Sequence, residues 1–277
     1  MRLLVFGLVL CAHGMFAQAG PYWALGFGGQ ADDRVVAVAK GPGISQYICG
    51  TFNGVLNYPG GAVSSVGASD VFLAKLDTAG HVLWLRTAGG PGPDRCTDLA
   101  VNSAGDVAIT GQFTAEIVFD GSLVNSNGPS QDMFVARYAA DGTFQWARSA
   151  GSTEHADIGE HVALTSSGAV FVAGSFSHAA LFGSNTITST VDAQTLQPGI
   201  DMFLASYAPD GTLAWVRHGQ ADGTDRAAGL AVSESGECWL AGQFSSAITF
   251  DQPHPNGFNN AGFLSAFDAT GAEQWFV

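Results

Sequence analysis

Five tryptophans divide this chain at nearly even steps. Trp23, Trp84, Trp146, Trp215 and Trp275 lie 61, 62, 69 and 60 residues apart. The text leading into the last four repeats: DVFLAKLDTAGHVLW (70–84), DMFVARYAADGTFQW (132–146), DMFLASYAPDGTLAW (201–215) and AGFLSAFDATGAEQW (261–275). A self-similar period this long restricts the chain to a repeat architecture, in which most recurring residues are packing parts.

Each unit is punctuated alike. A Gly-rich stretch follows the Trp, as in FGGQADDR, AGGPGPDR, AGSTEHAD and HGQADGTDR. A short apolar strand comes next, then a turn such as NSAGD, TSSGA or SESGE. A second strand ends in Gly-x-Phe at Gly50-Thr51-Phe52, Gly111-Gln112-Phe113, Gly174-Ser175-Phe176 and Gly242-Gln243-Phe244. After a variable loop, a third strand alternates, with Phe134, Ala136 and Tyr138 on one face and Met133, Val135 and Arg137 on the other. A tight turn (Ala79-Gly80, Asp141-Gly142, Asp210-Gly211, Thr270-Gly271) leads into the Trp strand, and its Gly supplies the positive φ a hairpin needs. No segment sustains a 3.6-residue apolar period of helical length, so the chain reads as all-β.

The second and third strands are apolar on both faces and need cover on both sides. Four-stranded antiparallel sheets stacked between neighbours are the blades of a β-propeller. The expectation is therefore about four 60-residue blades over 20–277, with units near 23–84, 84–146, 146–215 and 215–275 and each Trp wedged between blades. The strand around Trp23 is surplus to four units. Either four blades close with a spare strand, or the blades form an open arc within a longer array. The stop two residues after Trp275 favours the second.

Residues 1–19 read as a secretory signal peptide, with Arg2, an apolar run from Leu3 to Leu10, and Ala17-Gln18-Ala19 before the cut. No later run is apolar enough to span a bilayer as a helix. Net charge is −14, with no Lys/Arg run, which argues against nucleic-acid binding and against docking on anionic membranes. Cys49, Cys96 and Cys238 remain after cleavage. An odd count at three different repeat positions reads as buried free thiols filling strands.

Trp, Gly-Gly, Asp, Gly-x-Phe, Asp-x-Phe and Asp-x-x-Gly-x-x-x-Trp together resemble the secreted bacterial β-propeller repeat known as the SBBP repeat, over residues 20–277. The resemblance implies a propeller fold, export and no catalytic residues. Lys75-Leu76-Asp77-Thr78-Ala79-Gly80-His81-Val82-Leu83-Trp84 is also similar to the blade motif of pyrroloquinoline-quinone propellers, but the adjacent cysteine pair of those enzymes is missing. The shared motif is better explained by blade packing.

One acid precedes the first strand of every unit: Asp33, Asp94, Asp157 and Asp225, with Arg34, Arg95 and Arg226 following three of them. Converging at one mouth, the four carboxylates would suit calcium. Spread out, each would cap its Gly-rich turn and pair with an Arg. Asp70, Asp132 and Asp201 open the third strands, and Ala261 replaces the acid in the last unit, as suits a turn acceptor. Glu154, His155, Asp157, Glu160 and His161 gather potential zinc donors at spacings that fit no zinc motif. The lengthened loop Leu181–Ile200 accounts for the 69-residue step and is either a binding insertion or a tolerated one. The sequence thus predicts a non-enzymatic secreted scaffold or interaction module for a protein or glycan ligand. The rival is an exported enzyme, polysaccharide-active or quinoprotein-like, using a propeller pocket.

Overall fold

The computed structural model describes residues 25–193, 195–245, 247–255 and 261–277. The signal segment and the strand around Trp23 lie outside the described residues. Among the described residues every regular element is a strand. The first sheet contains β1 (Arg34–Lys40), β2 (Gln46–Tyr58), β3 (Gly61–Leu76) and β4 (Val82–Gly89). The second unit contributes β5 (Arg95–Val101), β6 (Val107–Thr114), the short hairpin β7 (Glu116–Phe119) and β8 (Ser122–Asn125), then β9 (Gln131–Tyr138) and β10 (Phe144–Gly151). The third follows the same plan with β11 (Ile158–Leu164), β12 (Val170–Ser177), β13 (Ala179–Phe182), β14 (Asn185–Thr188), β15 (Ile200–Tyr207) and β16 (Leu213–Ala221). The fourth has β17 (Arg226–Val232), β18 (Cys238–Phe244), β19 (Ala247–Thr249), β20 (Pro253–Pro255), β21 (Ala261–Phe267) and β22 (Glu273–Phe276).

Four antiparallel sheets result, but their membership differs from the sequence reading. The variable loop after Gly-x-Phe is a hairpin in the last three units, and it pairs with the sheet before its own. The orders are β1-β2-β3-β4-β7-β8, β5-β6-β9-β10-β13-β14, β11-β12-β15-β16-β19-β20 and β17-β18-β21-β22. The Trp strands β4, β10 and β16 are thus covered by the next unit's hairpin, as where Ala88 and Gly89 pair with Phe119 and Val118. In the first unit the outer ends of β2 and β3 form the corresponding hairpin, and Gly28 bridges Asn57 on it. These hairpin strands are only three or four residues long, too short for a visible alternation.

The sheets stack in chain order, and the period-2 pattern explains why. Ile109, Phe113, Phe134, Ala136 and Tyr138 bury against Tyr47, Cys49, Val71 and Leu73 of the first sheet. The alternate residues Ala108, Met133 and Val135 bury against Val162, Val170, Val172 and Phe203 of the third. Leu204, Phe171 and Ala173 continue the stack toward Leu240, Phe263 and Phe267. Successive sheets approach along their first strands, β1 to β5, β5 to β11 and β11 to β17.

The Gly of Gly-x-Phe has a steric cause. A Cβ on Gly111 would stand 1.9 Å from the Arg95 carbonyl oxygen and 2.8 Å from the Phe134 ring. Gly174 meets the Ile158 carbonyl at 2.0 Å and Phe203 at 2.8 Å in the same way. The facing first strand bulges just there, at Cys96/Asp98 and Gly159/His161.

The tryptophans dock across the stack. Trp146 donates its indole N–H to the Pro209 carbonyl of the third sheet at 2.9 Å, and Trp215 donates to Ala269 of the fourth at 3.0 Å. Arg148 and Arg217, two residues on, lie 5.7 Å from the respective ring centroids. Trp146 and Trp215 are 6% and 9% exposed, whereas Trp275, on the last strand, is 43% exposed. Among the described residues no helix is long and apolar enough to cross a membrane.

Candidate functional site

The four acids that open the first strands lie one to a unit and act on backbone amides. Asp94 accepts from Gly90 N–H at 2.7 Å and, at 3.4 Å, from Thr114 N–H just beyond Gly-x-Phe. Asp157 joins Ser152 to Ser177, and Asp33 joins Gly29 to Asn53, in the same way. Asp225 accepts from Ser245 N–H at 3.0 Å. Each carboxylate therefore ties the Gly-rich turn to the end of the second strand, or holds that strand end alone.

A second acid stands beside three of them. Asp132 and Asp201, at the heads of β9 and β15, and Asp70, within the longer β3, accept from Asn127, Thr190 and Val66 N–H respectively. A Cβ on Gly151 would stand 2.4 Å from Asp132 Oδ1 and 2.9 Å from Asp157 Oδ2, so glycine lets the two acids share this corner. Asp70, Asp94, Asp132, Asp157, Asp201 and Asp225 are all buried. Burial pushes the Asp94 carboxyl up to about 7, with Asp70 adding repulsion. Burial likewise raises Asp225 to about 7, with Asp201 contributing. Asp132 and Asp157 rise to about 6, burial again leading.

Among the described residues no three His, Cys, Asp or Glu side chains gather as a metal-ligand set. Two carboxylates already engaged by amides fall short of the six to eight oxygens calcium takes. The histidine-rich turn also divides. His155 stacks on His178, which pairs with Glu154 at 3.2 Å, while His161 points to Asp98 at 3.9 Å and Glu160 accepts from the Ser175 hydroxyl. The lengthened loop is tied down at its base: Gly199 donates to Thr190, and Thr190 N–H and hydroxyl both bind Asp201.

In the sequence these arginines read only as partners of the acids beside them. Among the described residues Arg34, Arg95 and Arg226 form no ion pair with any acid. Arg34 and Arg95 instead line a cleft of about 400 Å³ at the heads of β1 and β5, together with Asp32, Asp33, Thr51 and Asn53. A second cleft, also about 400 Å³, shares both arginines and runs on to Thr97 and Glu160. Glu160 in turn feels the charge of Arg226 on β17. Three exposed guanidiniums thus follow the line of first strands, in a chain with only ten Lys and Arg. The signal was in the sequence, as an Arg after the acid in three units of four.

No known protein family's profile matches the chain. It is similar, at 34% identity over 148 residues, to a protein named regulatory protein FlaEY from Caulobacter vibrioides. That stretch is 52% of this chain but only 15% of the relative.

Proposed function

We propose that this chain is an exported, non-enzymatic module of β-propeller type that binds an anionic ligand along its first strands. Three features support a propeller. Each sheet is built on a four-stranded meander, extended in three of them by the next unit's hairpin, the sheets stack in chain order, and they come closest along first strands while tryptophans hold their outer turns. The reading of residues 1–19 as a signal peptide supports export. The relative's name, that of a regulatory protein, agrees with a binding role.

One observation carries the ligand reading: Arg34 and Arg95 line a shared polar cleft with no acid paired to either. A guanidinium fork matches carboxylate and sulfate in a bidentate way, so the ligand is recognised through such groups. Acidic oligosaccharides are the probe of choice for an exported module. The test is an array of uronate-bearing, sulfated and neutral oligosaccharides, run beside turnover assays on the same sugars. Acidic sugars should bind and Arg95→Ala should weaken them about tenfold, the scale of one charge-assisted contact. Preference for neutral sugars, or cleavage products, would overturn the proposal.

A further inference from the structure

We propose that Cys49 and Cys96 form a disulfide that staples the first sheet to the second. Cys49 lies on β2 and Cys96 on β5, both wholly buried, with their Sγ atoms 2.7 Å apart. A disulfide bond measures about 2.05 Å, and two unbonded sulfurs stand well outside 2.7 Å. In the structure Cys49, Cys96 and Cys238 are all buried and unbridged, as the sequence predicts, but the first two stand closer than two thiols at rest.

The repeat itself imposes this approach. Cys49 immediately precedes the Gly of Gly-x-Phe, and Cys96 immediately precedes the bulge of the next first strand. At the following junction these positions are Thr110 and Gly159, and a Cβ on Gly159 would stand 2.0 Å from Thr110 Oγ1. One junction further they are Ala173 and Ala227, packed in one cluster. Every junction brings these two positions together, with a glycine or alanines easing the contact elsewhere. The first junction alone carries sulfur at both. Cys238 has no sulfur partner among the described residues, and burial pushes its thiol up to about 12.

Burial also raises the Cys49 thiol well above its usual range, so the bond forms as the chain folds or opens rather than in the closed core. The oxidant is an external disulfide, of a small thiol or an oxidoreductase. One cysteine thiolate attacks it, giving a mixed disulfide and releasing one external thiol. The second cysteine displaces the carrier as a second external thiol. Two protein thiols and one external disulfide thereby become one protein disulfide and two external thiols, which keep the two protons. Closure in the cell rests on the export proposed above, whereas closure in purified protein does not.

The test is refolding of the purified full chain with glutathione disulfide, then alkylation and tryptic mapping. Cys49 falls in peptide 41–75, Cys96 in 96–137 and Cys238 in 227–277, so the three report separately. The expected product is 41–75 linked to 96–137, with Cys238 alkylated. A staple across 47 residues should also raise the melting midpoint by roughly 8–16 °C over the reduced chain. Cys238→Ser should keep both effects and Cys96→Ser should lose both. Failure of the linked pair to appear, or Cys49 linked to Cys238 instead, overturns the proposal even if Cys96→Ser does not fold.

Discussion

Gly211→Ala probes how the tryptophans hold the stack. Gly211 has φ +82°, and a Cβ there would stand 2.6 Å from Cδ2 of Trp146 and 3.0 Å from Nη2 of Arg148. Three costs follow. An alanine in the left-handed region costs about 1–2 kcal/mol. Pushing the indole away strains its bond to Pro209, worth about 1 kcal/mol, and separates Arg148 from the ring, worth about 0.5–1 kcal/mol. The total is about 3 kcal/mol, or roughly 6–12 °C in melting midpoint for a chain of this size. Gly183→Ala is the control. Its φ is +61°, but nothing lies within 4 Å of the new Cβ, so only the backbone cost of about 1–2 kcal/mol applies. Urea unfolding followed by far-ultraviolet circular dichroism measures both. In a Trp146→Ala background the cost of Gly211→Ala should fall to that of the control. Equal losses for the two glycines, or an undiminished loss without the tryptophan, would refute the docking argument.

Other outcomes follow from the buried acids and the close-approach glycines. Folded-state values near 7 for Asp94 and Asp225 mean the native chain keeps protons that the unfolded chain releases above about pH 4. Their stabilisation is therefore complete at low pH and is lost as pH rises toward 7. Urea midpoints should thus drop between pH 5 and pH 8, and Asp94→Asn should flatten that slope. The exposed acids with lowered values, such as Asp141 and Asp210, titrate below this window, so a rise in midpoint across it would contradict the assignment. Millimolar calcium at pH 7 should leave the thermal midpoint unmoved, because the junction carboxylates are engaged by amides. An upward shift would return Asp33, Asp94, Asp157 and Asp225 to metal chemistry. Gly111→Ala should cost more than about 4 kcal/mol, since a backbone carbonyl 1.9 Å away has little room to retreat. Normal yields of folded soluble protein would show that the bulge yields.

Much of the strand plan was legible because it is written locally. The faces assigned to Phe134, Ala136 and Tyr138 against Met133 and Val135 are those the structure buries toward opposite neighbours. The hairpin turns at Gly142 and Gly211 carry the positive φ their position demands. What escaped was relational. Nothing within Glu116–Phe119 indicates that it completes the preceding sheet, because the partner, β4, lies in the previous unit. Asp94 was visible as a recurring acid, but its place beside Asp70 follows only from stacking β5 against β3. The Cys49–Cys96 approach was hidden for the same reason. The two sit at different repeat positions, and aligning units compares like with like, whereas junctions bring unlike positions together.

The borrowed hairpins also set an order of events. Among the described residues the outer edge of β4 is paired by β7, with β8 beyond it, and β10 and β16 wait likewise on hairpins of later units. During synthesis each of the first three sheets stands with a raw edge until the next Gly-x-Phe strand and its hairpin have emerged. Assembly is therefore staggered by one unit from the N-terminus, and each new meander closes the door behind it. A pause between units would leave open strand edges ready to accept a hairpin from another molecule, so the same device that locks neighbours together makes uninterrupted translation part of correct folding.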